Sequence, residues 1–279
     1  MRRTALALLM LLISAVTAVA QDRVSLRPGF KAGDESRYII NASVETTVTP
    51  KNSDGIGGTS RGELTATVLV RTLSLSDGEV NQEALVEAIS FSAGKGTGAS
   101  TKEAAGKKIE FAIGPTGYLT KGSIPDSPGY QALADLLFST ARWRPAGEVS
   151  VGGSWNALGL GHLYTDRLSE IPMGASTVYK LDSLNKGVAS IEGKVTLNQN
   201  GSSVFDAGKG SIKVSVIASG SGMTKVEVDV NTGRVISGAT ESRVEGSLIN
   251  IQPTAAGEKM QPREGALVEA SKFSIRLVQ

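Results

Sequence analysis

The sequence predicts a mainly β fold in which two similar antiparallel β units form a duplicated, curved sheet or half-barrel, with one central amphipathic helix packed on a sheet. Three observations carry this prediction. Most of the chain after residue 20 alternates apolar and polar residues, which is the pattern of strands with one buried face. Short Gly-, Asn- and Asp-containing turns separate these runs. A single stretch near the middle has the three-and-four spacing of an α-helix instead.

The first 20 residues have the organisation of a cleavable signal peptide. A basic start (Arg2-Arg3) precedes an apolar run, and Ala18-Val19-Ala20 supplies the small residues needed for cleavage before Gln21. No later stretch approaches the roughly 20 apolar residues of a membrane-spanning helix. We therefore expect a periplasmic or secreted protein with no transmembrane segment in the mature chain.

The remaining chain divides into a first β unit (residues 21–123), a central helix and hinge (124–155) and a second β unit (156–279). The first unit is expected to contain strands over 36–49, 62–74 and 79–93 and a hairpin over 107–122. The second is expected to contain strands over 175–184, 188–199, 211–219, 223–230, 234–238, 240–251 and 266–278. Gly/Ser-rich segments at 94–106 and 200–210 are expected to be loops.

The central helix is predicted from Ser127 to Ala141. Ser127 can cap the free N–H groups of the first turn, and Pro128 suits the first helical position. Pro145 prevents any continuation. One apolar face follows the helical spacing, and it consists of Tyr130, Leu133, Leu137, Phe138 and Ala141.

The two β units share an order of elements. The hairpin sequence KKIEFAIGPTGYLTKG (107–122) resembles TKVEVDVNTGRVISG (224–238), and the preceding strand–turn–strand stretch at 71–92 parallels 179–198. Each unit also has a Gly/Ser-rich segment before its hairpin. Similar hairpins can arise independently, but the full repeated order favours an internal duplication.

Composition argues against several functional classes. The chain has no cysteine and one histidine, His162, so thiolate metal sites and the common nucleophile–histidine relays lack their residues. Removal of the leader leaves 27 Lys+Arg against 27 Asp+Glu, a balance that argues against a nucleic-acid partner. Gly152-Gly153-Ser154-Trp155 departs from a nucleophile elbow because tryptophan replaces the second glycine. We predict no enzymatic activity, no catalytic residues, no metal site and no cofactor.

Both tryptophans, Trp143 and Trp155, flank the helix, although aromatic residues make up only 5% of the chain. They could anchor the helix and hinge on the sheet, or they could line a pocket between sheet and helix. The residues expected to contact a ligand in the second case are Leu133, Leu137, Phe138, Trp143 and Trp155.

The leader, the many antiparallel strands and the helix between strand groups resemble the exported LolA-like lipoprotein carriers and related uncharacterised exported bacterial β-sheet proteins. The VSVGGSW segment (149–155) is similar to a V-x-V-G-x-x-W stretch of such proteins. This resemblance implies a curved antiparallel sheet whose concave face is covered by helix and holds acyl chains. We therefore expect a non-enzymatic envelope protein that binds a lipid or another apolar small molecule between sheet and helix. The alternative is a structural or protein-interaction module of the cell envelope, with an envelope protein as its partner and no small-molecule ligand.

Overall fold

A computed structural model describes residues 23–26, 29–52, 55, 57–76, 78–92, 105–114, 117–139, 142–161, 171, 173–206, 211–251 and 262–278. The leader and His162 lie outside these residues. The strands are β1 (Arg23–Val24), β2 (Glu35–Pro50), β3 (Gly58–Ser76), β4 (Glu79–Ser92), β5 (Lys108–Ile113), β6 (Leu119–Ser123), β7 (Val149–Ser150), β8 (Ser154–Gly161), β9 (Met173–Asn185), β10 (Val188–Asp206), β11 (Ser211–Asp229), β12 (Arg234–Ile251) and β13 (Pro262–Leu277). The helix, α1, is Pro128–Ser139.

Eleven strands form one antiparallel sheet in the order β6-β5-β4-β3-β2-β13-β12-β11-β10-β9-β8, and β1 pairs with β7 in a small second sheet. The predicted mainly β fold with one helix is confirmed. In both halves of the large sheet each strand pairs with the next strand along the chain, and the pairing of β2 with β13 joins the halves. The halves thus share a neighbour order within one continuous sheet, while their origin by duplication stays a prediction.

The sheet curls until its two ends approach each other. The backbone N–H of Leu158, on outer strand β8, donates a hydrogen bond to the hydroxyl of Tyr118, next to outer strand β6, at 3.2 Å. These outer strands are not paired with each other in the sheet, which stays open between them. In the chain, α1 connects these two outer strands, and it packs inside the curved sheet.

The helix is amphipathic with a wide buried face. Gln131, Asp135 and Ser139 recur every four residues as its less buried strip. The buried residues are Gly129, Tyr130, Ala132, Leu133, Ala134, Leu136, Leu137 and Phe138. The last helical residue is Ser139, and the predicted end at Ala141 lies outside the described residues. Among those residues, no helix has both the length and the apolar character that crossing a membrane requires.

The core lies on the concave face of the sheet. One apolar cluster contains α1 and inward residues of both halves, including Ile40, Val68, Ile109, Ile191 and Ile275. The backbone of α1 lies closest to β3 and β4, whose inward side chains are bulky. A second cluster, without the helix, lies further along strands β9 to β13 and includes Met173 and Leu267.

The strands of the second half are longer than predicted. The segment 200–210 was expected to be a loop, but β10 continues through Asp206, so this expectation is wrong for residues 200–206. The strand pairs predicted at 211–219 with 223–230, and at 234–238 with 240–251, are the single strands β11 and β12. Long pairing with neighbouring strands supplies backbone hydrogen bonds to these glycine- and serine-rich stretches, and this context outweighs their low strand propensity.

Candidate functional site

A cavity of about 210 Å³ lies between the C-terminal half of α1 and the concave face of the second half of the sheet. Its roof includes Leu136 of the helix and Trp143 just after it. Its walls come from β2 and from β8 to β13. The exposed Leu158 and the helix residue Asp135 also line it, which places part of the lining at the surface.

The cavity exists because several inward-facing positions on the strands that border it carry small side chains. Neighbouring strands present Ala42, Ala175, Gly238, Thr240 and Ser271 toward the helix. In the first half, the corresponding face carries leucine, valine, isoleucine and phenylalanine, which fill the space under α1. The helix therefore packs tightly on one side and leaves an unfilled volume on the other.

Most polar groups on the sheet side of the cavity are neutral hydroxyls, and the one charged lining residue described there, Lys272, is exposed and paired with Glu241. Thr240 Oγ1 donates to Thr224 Oγ1 at 2.9 Å, and the Oγ atoms of Ser242 and Ser271 are 2.7 Å apart. Burial raises the pKa of the Tyr179 hydroxyl to about 12, so this lining residue is uncharged at neutral pH. These groups can orient a polar atom of a ligand without placing a charge beside its apolar part.

The two tryptophans hold the segment after the helix against β8 and β9. The indole Nε1–H of Trp155 donates to the carbonyl oxygen of Trp143 at 2.7 Å, and the Trp155 ring stacks on Tyr179 with 5.8 Å between centroids. Trp143 is fully buried and lines the cavity. Its own Nε1–H has no hydrogen-bond partner among the described residues. The cavity lining thus includes a residue with an unsatisfied buried donor.

The five predicted ligand contacts are distributed over three environments. Trp143 lines the cavity, and Trp155 reaches it only through Tyr179. Leu133 is fully buried in the core. Phe138 packs edge-to-face on Phe111 of β5, with ring centroids 5.4 Å apart. Leu137 lines a second, smaller cavity.

Sequence reasoning missed the residues of the sheet that line the cavity. Pattern analysis favoured large apolar side chains near the helix, whereas about half of the strand residues that border the cavity are alanine, glycine, serine or threonine. The available signal was the run of small residues at alternate positions, as at Gly238, Thr240 and Ser242, because alternate residues of a strand share a face.

Within the part of the chain that the structure describes, no three acidic, histidine or cysteine side chains form a group that could hold a metal ion.

The smaller cavity, of about 50 Å³, is lined by two arginines and an aspartate together with neutral side chains.

The model of "Family of unknown function (DUF6263)" matches residues 118–235. No curated protein matches. A solved structure described as "Lipid-protein interactions in lipovitellin" is similar, with 8% sequence identity and a TM-score of 0.46. That likeness covers 90% of this chain and 25% of the lipovitellin chain, so this chain spans about a quarter of its length. The family match runs from the residue before β6 to the start of β12, and therefore includes α1, both tryptophans and strands β8 to β11.

Proposed function

We propose that the protein is an exported, non-enzymatic protein that binds an apolar or amphiphilic small molecule in the cavity between α1 and the concave face of the sheet. The observation that carries the proposal is the cavity itself. Its volume of about 210 Å³ exceeds the roughly 150 Å³ of an engineered apolar cavity that binds benzene. It lies below the roughly 300–1,000 Å³ typical of drug-sized ligands. A small apolar molecule, or part of an acyl chain, fits this range.

The lining supports a ligand that is mainly apolar and has one hydrogen-bond acceptor. Apolar side chains such as Leu136, Val226 and Phe273 border much of the space. The unsatisfied Nε1–H of Trp143 gives a reason for an acceptor oxygen on the ligand, since an unpaired buried donor costs about 1–3 kcal/mol. Occupation by a molecule with an oxygen near Trp143 would remove this cost.

The chemistry of the site favours binding over catalysis. The hydroxyls on the sheet side form hydrogen bonds with each other, as in the Thr240–Thr224 pair, rather than with an activating base. Acid–base catalysis requires a group whose pKa lies near the working pH and which can reach a reacting atom. The Tyr179 hydroxyl, with its pKa of about 12, is a poor candidate.

The direct test uses the apolar fluorophore N-phenyl-1-naphthylamine with the purified mature protein. We expect its emission to rise on binding and tryptophan emission to change, because Trp143 lines the cavity. Ala175→Leu should fill part of the cavity and weaken probe binding about tenfold or more. The leucine adds roughly three carbon groups, and each would displace a part of the probe whose burial contributes about 0.8 kcal/mol. Ala270→Leu is the matched control because Ala270 is exposed on β13.

Circular dichroism must show that both variants are folded. Mass spectrometry of the native protein should detect a co-purifying apolar molecule, and N-terminal sequencing of exported material should begin near Gln21. If the wild-type protein does not bind the probe, or if Ala175→Leu binds it as well as the control does, the cavity is not the ligand site. The interaction-module alternative would then be favoured.

A further inference from the structure

Among the described residues, the smaller cavity is lined by two arginines and one aspartate. It lies where α1 and the segment after it meet strands β2 to β5 and the start of β12, and its volume is about 50 Å³. These three charged residues are Asp34, Arg144 and Arg234. Val235 and Ile275 line both this polar cavity and the apolar cavity under α1, so the two cavities share a wall.

Arg144 is a buried cation. Only 6% of it is exposed, and its guanidinium lies over the rings of Phe30 and Trp143, 5.8 Å and 5.2 Å from their centroids. Burial lowers the pKa of Arg144 to about 10, so the side chain remains charged at neutral pH. The cavity wall thus includes a charged guanidinium from the segment after α1.

Arg234 supplies a second guanidinium. Its Nη2 is 3.3 Å from Oδ2 of Asp34, an oxygen that also accepts the backbone N–H of Lys31 at 2.9 Å. The hydrogen bond from Lys31 and the charge of Arg234 hold the pKa of Asp34 below its usual value, so this carboxylate stays ionised. The Nε–H of Arg234 is buried and has no hydrogen-bond partner among the described residues. Asp34 therefore leaves a donor of Arg234 unused.

We propose that the polar cavity binds an anionic group, a carboxylate or a phosphate, between Arg144 and Arg234. The planar guanidinium presents several N–H donors in a fork that matches both anions. The volume of about 50 Å³ exceeds the roughly 10–15 Å³ that one water needs, and leaves room for such a group. The bound anion would lie beside two guanidinium groups and would accept a hydrogen bond from the free Nε–H of Arg234.

Two sources could supply the anion. It could be a small free anion, or it could be the charged end of an amphiphile whose chain occupies the adjoining apolar cavity. The second source rests on the proposed function. The first does not, because it requires only the polar cavity.

Isothermal titration of the mature protein distinguishes these sources with three probes at constant ionic strength: inorganic phosphate, decanoate and decanol. We expect the wild-type protein to bind phosphate, or to bind decanoate more tightly than decanol. Arg234→Gln should weaken the binding of the anionic probe about tenfold or more, since hydrogen bonds to charged groups are among the strongest in proteins. Decanol affinity should not change. Arg243→Gln is the matched control because Arg243 lies on the same strand, exposed and paired with Glu245.

Phosphate binding that is lost in Arg234→Gln identifies a free-anion site. A preference for decanoate over decanol that is lost in the same variant identifies the end of an amphiphile. If phosphate does not bind and decanoate equals decanol, or if Arg234→Gln leaves anion affinity unchanged, the proposal is overturned. Should Arg234→Gln fail to fold, Arg144→Lys provides the second test, and it should weaken anion binding because a lysine lacks the guanidinium fork. Phosphate binding without decanol binding would refute the apolar-ligand function alone.

Discussion

We predict that the buried side chain of Glu269 makes the stability of the protein depend on pH. Its side chain points to the concave face of β13 and is 1% exposed. Thr46 Oγ1 donates to its Oε2 at 2.9 Å, while Oε1 has no hydrogen-bond partner among the described residues. On β12, the residue that pairs with Glu269 is the apolar Val244. No charged group among the described residues contributes to the shift of its pKa, which burial raises from 4.5 to about 7.

The sign and size of the effect follow from this shift. The folded protein holds the proton of Glu269 more tightly than the unfolded chain does. The resulting stabilisation is fully present below the unfolded pKa of 4.5 and is lost as the pH rises through the folded pKa of about 7. At about 1.4 kcal/mol per pKa unit, the loss amounts to roughly 3 kcal/mol. Glu269→Gln should abolish this dependence, because an amide carries no charge at any of these pH values.

Urea unfolding followed by circular dichroism between pH 4.5 and pH 8 measures the effect. We expect the free energy of unfolding of Glu269→Gln to increase relative to that of wild type as the pH rises, because only the wild-type protein loses stability. A constant cost from the new amide N–H groups would shift the whole curve without changing this trend. Glu245→Gln, which makes the same change at an exposed position on β12, is the matched control. If the curves of Glu269→Gln and wild type are parallel, Glu269 is not the buried acid described here.

Three further predictions concern packing, and each is checked by urea unfolding. Leu133→Ala should lower the free energy of unfolding by about 2–5 kcal/mol because Leu133 is fully buried. Its control, Leu158→Ala at a position 65% exposed, should change stability by about 0.5 kcal/mol or less. Equal losses in the two variants would contradict the assignment of Leu133 to the core. Trp155→Phe removes the hydrogen bond to the Trp143 carbonyl and should cost at least about 1 kcal/mol, with a change in Trp143 emission as a second readout. Gly193→Ala should destabilise by about 1–3 kcal/mol because its new methyl group would lie 2.5 Å from a side-chain carbon, and an unchanged midpoint would show that β10 can shift.

Local sequence patterns were sufficient for the fold class and the helix. The alternation in β2 and the Ser127-Pro128 start of α1 are short-range signals, and the structure has both elements within a few residues of the predicted bounds. The continuation of β10 through residues 200–206 was not predictable in this way. Its Gly/Ser-rich sequence has low strand propensity, and it is held by pairing with β11.

The candidate site was predicted only in part, and the reason is geometric. Periodicity identified the apolar face of α1 but not which part of it would be packed by the sheet. Leu133 and Phe138 meet bulky neighbours and are core residues, whereas Trp143 borders the cavity. This distinction depends on small residues, such as Ala175, that lie far from the helix in sequence and face it only after the sheet has curved.

The pairing of β2 with β13 also has a kinetic consequence. The hydrogen bond between Thr46 and Glu269 links residues 223 positions apart, while the other pairs in the sheet join strands that are consecutive in the chain. Hairpins between consecutive strands can form early, but a contact at such separation must first overcome a large loop-closure entropy. We therefore expect the two halves of the sheet, β2 to β6 and β8 to β13, to assemble independently. The β2–β13 pair should form late, as the slowest step of folding. The middle of this sheet, rather than its edges, would then be the last region to become native.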